Sequence, residues 1–448
     1  MSIVVRSPGG SAEGAITMGS SLRRPDPVEL HASAAAADPA AGLLSPRVRA
    51  AFPALADTAE TYLDSAATTQ KPGAVVETVR DYHATATANA ARGTYPWATV
   101  LTQRIAGIRA RTASFLGAAH TDEIVFTGGA TAALNAVAMS WGLAALRDGD
   151  EILYSPRDHA ANVLPWYLLR DTLARFDRRI ELVPYRVTPA GQADPIDIAR
   201  KLSPRTRLLT VTHLHHVFGA LTTLAELRDR IPAHVLLCFD CSQSGGHLPV
   251  DVGALGADFA VFAAHKMFGA PGTGILYCHR RTHPQLRPFL PGGATDAALT
   301  VTGFDGGTMP GLLEGGTMNI PGILALGSAL EVLDSYGMAA IAEHNRLLTR
   351  RLVGDLRTVP GLRFLPGPAH SGDDSGHGIV SFTLAGISAA DLGFVLAEYG
   401  FLVRTGAHCV PVSSGDPESV RVSTHVYTTV DDIDRFADCV RTLAEELQ

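Results

Sequence analysis

Glu123-Ile124-Val125-Phe126, Glu151-Ile152-Leu153-Tyr154, Leu208-Leu209-Thr210-Val211, Val235-Leu236-Leu237-Cys238-Phe239 and Phe259-Ala260-Val261-Phe262 are short apolar runs. Longer helical patterns, such as Thr131 to Leu146 and Val163 to Phe176, lie among them. This alternation is the βαβ rhythm of an α/β fold: a mainly parallel sheet with helices on both faces. The rhythm runs through Ile275-Leu276-Tyr277 and defines one large domain, expected over 46–305, whose first residues are expected to pack on a smaller one. Glycine pairs from Gly292-Gly293 to Gly315-Gly316 mark the passage to that smaller C-terminal α+β domain, 306–448. Its clearest strand is Gly378-Ile379-Val380-Ser381-Phe382, while Pro411 to Pro417 reads only as a polar turn.

Residues 1–45 are rich in Gly, Ser, Ala and Pro without sustained periodicity, the composition of a flexible tail. The whole chain of 448 residues is 46% hydrophobic and 18% charged, enough for large cores in two unequal domains. With 37 basic against 44 acidic side chains and a net charge of −7, no basic surplus is available for nucleic acid or an anionic membrane. No apolar run approaches the ~18 residues of a membrane span. The start of the chain lacks the apolar core of a signal peptide, and Arg23-Arg24 runs into Pro25-Asp26-Pro27 rather than a twin-arginine signal, so a cytoplasmic protein is expected. Five cysteines make no disulfide framework, and the pair Cys238/Cys241 has no second pair at zinc spacing, so no metal is expected.

Chemistry concentrates at strand ends. The run Val235 to Phe239 ends in Asp240, and Phe259 to Phe262 leads to Ala263-Ala264-His265-Lys266. Carboxyl ends of strands are where open α/β sheets bind ligands. A desolvated lysine there can act as a Schiff-base amine, and an aspartate can pair with a pyridinium nitrogen. Gly128-Gly129-Ala130-Thr131, between strand and helix, suits a phosphate: glycine permits close approach, and helix amides with the Thr131 hydroxyl can receive it. Each feature alone also has a bland reading, as a turn cap or a solvated loop residue.

In order along roughly residues 60–445, the chain resembles the class V aminotransferases, fold-type I pyridoxal-phosphate transferases, and among them the SUF-type cysteine desulfurases. The matching segments are Tyr62 to Ala67, Phe126 to Asn135, Asp158-His159 with Ala161 to Trp166, Asp240 to Gln243, Pro249 to Val252, His265-Lys266, Glu314 to Asn319, and Arg404 to Cys409. The resemblance implies pyridoxal 5'-phosphate, with Lys266 forming the Schiff base, Asp240 at the pyridine nitrogen and Gln243 near the phenolic oxygen. It also implies that His159 stacks on the ring and that Ala130, Thr131 and His265 hold the phosphate, joined by Thr317 from the second subunit of a homodimer with active sites at the interface. Arg421 would bind the carboxylate of a small amino-acid substrate, with Arg404 and Asn162 nearby. Cys409 would be the nucleophile that carries sulfur as a persulfide to an acceptor protein, with Arg404 and His408 placed to lower its pKa.

The match breaks at four positions. His216 stands for an asparagine near the phenolic oxygen, Ala263 for a phosphate-binding serine, and Ala91 and Ala407 for histidines. The leading expectation is therefore conversion of L-cysteine to L-alanine. The alternative is a carbon–sulfur β-lyase, aminotransferase, epimerase or decarboxylase acting on another amino acid or a cysteine conjugate. A third reading, a scaffold that has lost its cofactor, is opposed by the intact Lys266 and Asp240.

Overall fold

The computed structural model describes residues 43–91, 93–293, 297–367, 369, 376–411 and 417–447. The expected tail therefore lies almost wholly outside the described residues, as do positions 412–416 of the polar turn. The first strand, β1 (Thr61–Tyr62), stands apart from the large sheet. That sheet is built from β2 (Ile124–Thr127), β3 (Glu151–Tyr154), β4 (Glu181–Pro184), β5 (Thr206–Thr212), β6 (Leu236–Asp240), β7 (Phe259–Ala263) and β8 (Gly274–Cys278). Its order is β2-β8-β7-β6-β5-β3-β4, and β8 alone runs antiparallel to its neighbours. The fold is the expected α/β class.

Strand side chains alternate between the two faces, and each face has its own core. Leu237 and Phe239 of β6 enter one cluster, Leu236 and Cys238 the other. A fully buried side chain such as Phe239 or Phe262 contributes about 1.5–3 kcal/mol by leaving water. The helix Ile320–Tyr336 packs on helices Gly73–Thr85 and Pro96–Leu116, and its Ile323, Leu326 and Leu330 join the first cluster. The chain thus returns to the core of the large sheet after residue 305.

Beyond the large sheet, β9 (Ala298–Thr300) and β10 (Gly303–Asp305) form an exposed hairpin. Further strands are β11 (Leu362–Phe364), β12 (Ile379–Leu384), β13 (Phe401–Leu402), β14 (Arg404–Gly406) and β15 (Ser419–Ser423). An antiparallel sheet, β11-β12-β15-β14, packs with helices Met338–Leu356 and Val430–Glu446. The N-terminal segment joins this unit: β1 pairs in parallel with β13, Asp64 bridges to Ser423, and Leu63 is buried in the same cluster. Among the described residues, no single helix is long and apolar enough to cross a membrane.

Candidate active site

Because β2, β3, β5, β6 and β7 run the same way, their carboxyl ends meet at one edge of the sheet. There β6 delivers Asp240, which is buried and accepts at Oδ1 from the Ser242 amide (3.0 Å) and hydroxyl (2.5 Å). Strand β7 runs into the 3-10 turn Ala264–Lys266 and delivers the lysine. Burial pushes the Lys266 ammonium down to about 8, partly offset by Asp240. Neutral amine is therefore within reach near pH 8.

At the end of β2, Gly129 takes φ +136° and opens the helix Ala130–Ala136, which has no side-chain cap. Its first N–H groups are left for a ligand or solvent. A Cβ on Gly274, the first residue of β8, would meet Gly129 Cα at 2.6 Å, so two backbones approach here only because a side chain is missing.

A cavity of about 400 Å³ opens at this edge. Ala130, Thr131, His159, His216, Asp240 and Gln243 line it from the large sheet's loops, as do His265 and Lys266. Arg404, Cys409 and Arg421 line it from the C-terminal unit. One residue expected in this chain's own site stays out. Asn162 is buried below, its amide donating to Asp158 Oδ2 (2.9 Å) and accepting from Thr210 Oγ1 (2.6 Å), so it supports the His159 loop rather than facing a substrate. Thr317 is exposed and does not line this chain's cavity.

His159 accepts at Nδ1 from the Ala161 amide (3.0 Å), which places the ring proton on Nε2. Burial and then Lys266 lower its pKa. Arg421, from β15, is buried, with Nη2 2.9 Å from Asp64 Oδ1 and Nη1 donating to the His216 carbonyl at 3.1 Å. Its Nε has no partner. Cys409 is exposed at the mouth, and the Arg404 guanidinium donates to its sulfur at 3.7 Å.

His408 departs from expectation. Its ring is buried against Ser419 Oγ (2.9 Å), and burial followed by Arg421 depresses its pKa to about 3. It is neutral at pH 7 and brings no positive charge to the neighbouring thiol. Ala263 does line the cavity and supplies only a methyl group, whereas Ala91 and Ala407 are exposed outside it. Cys238 and Cys241 are free, and burial raises both thiols.

Sequence reasoning missed Asp64 and Ser242. Asp64 lay inside a quoted motif, yet only tertiary contact pairs it with an arginine 357 positions away. Ser242 sits two residues after Asp240, the spacing of an Asx turn, and that spacing was the available signal.

An open α/β sheet with a lysine, an aspartate and an uncapped helix start at its carboxyl edge defines the pyridoxal-phosphate transferase class of folds. More narrowly, residues 61–436 match the family Aminotransferase class-V, and the chain belongs to that family. A cysteine desulfurase of Dickeya dadantii (strain 3937) is 36% identical over 399 residues, covering 87% of this chain and 94% of its own. One from Klebsiella pneumoniae subsp. pneumoniae is 36% identical over 401 residues, covering 87% and 96%. Among solved structures, a cysteine desulfurase from Thermococcus onnurineus NA1 superposes with a TM-score of 0.82 at 28% identity, covering 89% of this chain and 98% of that one. One from Escherichia coli gives 0.80 at 31% identity, covering 90% and 99%.

Proposed function

We propose that this protein is a pyridoxal-phosphate-dependent cysteine desulfurase that converts L-cysteine to L-alanine and carries the sulfur as a persulfide on Cys409. The carrying observation is that one cavity holds Lys266, Asp240, Arg421 and, at its mouth, the Cys409 sulfur. The relatives named cysteine desulfurase support the same reading.

The donor set fits the cofactor. Gln243 and His216 line the cavity and carry buried atoms without partners, Oε1 and Nδ1, and the glycine cradle at Gly129 has nothing within 4 Å of where a Cβ would stand. Lys266 would hold the aldehyde carbon. Asp240, fixed by Ser242, would face the pyridine nitrogen, and Gln243 the phenolic oxygen. The amides of Ala130 and Thr131, the Thr131 hydroxyl and neutral His265 would take the phosphate, and His159 the ring face. When bound, the cofactor supplies an electron sink for the pair released at the substrate's Cα.

This chain's residues do the rest. Arg421 binds the substrate carboxylate and so sets which Cα bond faces Lys266. Lys266 Nζ would take the Cα proton and return one to the product. Cys409 Sγ attacks the substrate sulfur: the S–S bond forms, the Cβ–S bond breaks, and its electron pair stays with carbon, which is protonated to alanine. Arg404 holds Sγ in position by its hydrogen bond.

The active unit is a homodimer, with Thr317 reaching the phosphate of the other subunit. The persulfide passes to an acceptor protein, and the enzyme works in the cytoplasm. Exposure of Thr317 and Cys409 supports the first two statements. The second reading, a carbon–sulfur lyase, is favoured by the loss of family histidines at Ala91 and Ala407. Assays of alanine, pyruvate and sulfide from L-cysteine with a thiol reductant separate the two. Alanine and sulfide that vanish in Cys409→Ser are expected, whereas pyruvate retained in that variant means a lyase.

A further inference from the structure

His216 stands where the family resemblance has an asparagine, and its two nitrogens have different surroundings. Nε2 is 2.9 Å from the carbonyl oxygen of His408. A carbonyl only accepts, so Nε2 carries the proton and, in the neutral ring, Nδ1 is a bare lone pair. That Nδ1 is buried without a partner. The ring is held flat on His215 (4.9 Å between centroids) and edge-on to His159 (5.1 Å). Burial, then His215 and His159, keep it neutral.

The carbonyl it reaches belongs to the residue before Cys409. His408 and Cys409 have φ of +51° and +63°, two successive non-glycine residues in the left-handed region. Such a backbone persists only where its surroundings impose it. The restraints are His216 on the His408 carbonyl, the Ala160 amide on the Cys409 carbonyl (2.9 Å), and Ser419 on the His408 ring. The first two come from loops at the edge of the large sheet, so the Cys409 turn is tied across the cavity to the side that holds Lys266.

Side-chain length decides what the exchange of Asn for His does. An asparagine's terminal atoms end where the imidazole has Nδ1, one bond from Cγ, and do not reach His408. A glutamine's amide reaches about as far as Nε2. We propose that His216 is a positioning residue that tethers the Cys409 turn to the cofactor side of the cavity. The tether rests on the structure alone.

Hydrogen exchange of the peptide spanning Arg404 to Val410 in the full-length protein tests the tether without catalysis. Losing one buried hydrogen bond of about 1 kcal/mol should speed exchange there by roughly fivefold or more in His216→Asn, while His216→Gln stays near wild type. Equal exchange in wild type and both variants overturns the tether, as does fast exchange in the glutamine variant with an unchanged melting temperature.

Discussion

Arg421 Nη2 lies 2.9 Å from Asp64 Oδ1, so the guanidinium expected to receive a substrate carboxylate already holds one of the protein's own. Burial dominates at both ends, lowering the Arg421 pKa and raising that of Asp64, and their attraction opposes both shifts. A substrate carboxylate bound by Arg421 would share the guanidinium with Asp64 or displace it.

Arg421→Ala should therefore lower kcat/KM for L-cysteine by about 100-fold, the scale of a lost charge-assisted interaction of about 1.5–3 kcal/mol. Initial rates across cysteine concentration measure it. An unchanged kcat/KM would place the carboxylate elsewhere.

Lys266 at about 8 predicts how cofactor-free protein reloads. Only the neutral amine attacks an aldehyde, so the rate of absorbance gain with added pyridoxal phosphate should rise with pH and level off above about 8. An ordinary lysine would keep gaining until above 10. The depressed value also means that the unfolded chain retains this proton where the folded chain has lost it, so between about 8 and 10.5 the Lys266 contribution to stability rises with pH.

The buried His213, His247 and His344 and the half-buried His265 are each lowered to about 4, chiefly by desolvation. Below the unfolded value of 6.5 the unfolded chain takes up these protons first, and the fold loses stability as pH falls from about 6.5 toward 4. Melting temperatures measured across that window should drop steeply. A flat profile would mean that the histidines are solvated.

Gly219 has φ +62°, and a Cβ there would meet the Ile379 carbonyl oxygen at 2.2 Å. That oxygen is backbone of β12, so nothing can rotate away. Gly219→Ala should cost roughly 3 kcal/mol from backbone strain and the clash together, and lower the melting midpoint. Because His216 lies in the same turn, cofactor absorbance should change as well.

Glu314 accepts the Phe126 amide (2.6 Å) and pairs with both terminal nitrogens of Arg109 (2.7 and 2.8 Å). Glu314→Ala leaves a nearly buried arginine unpaired, and about 3–5 kcal/mol of stability should be lost in a denaturant titration. Loss below 1 kcal/mol would mean that Arg109 finds water.

The α/β class was legible in the residues, because apolar runs of four or five residues, too short for helices, alternate with longer helical periods. Asp240, Lys266 and Thr131 were equally legible at the carboxyl edge, since each ends a strand or follows one within four residues. Side-chain directions and pairings across long separations were beyond the sequence. The fold turned Asn162 inward to Thr210 and Asp158, neutralised His408 by burial against Ser419, gave Arg421 a partner in Asp64, and brought His216 to a carbonyl 192 positions on. Spacing along a strand fixes which edge a residue reaches. Desolvation and hydrogen-bond partners depend on the packing of segments far apart in the chain, and those only the tertiary structure decides.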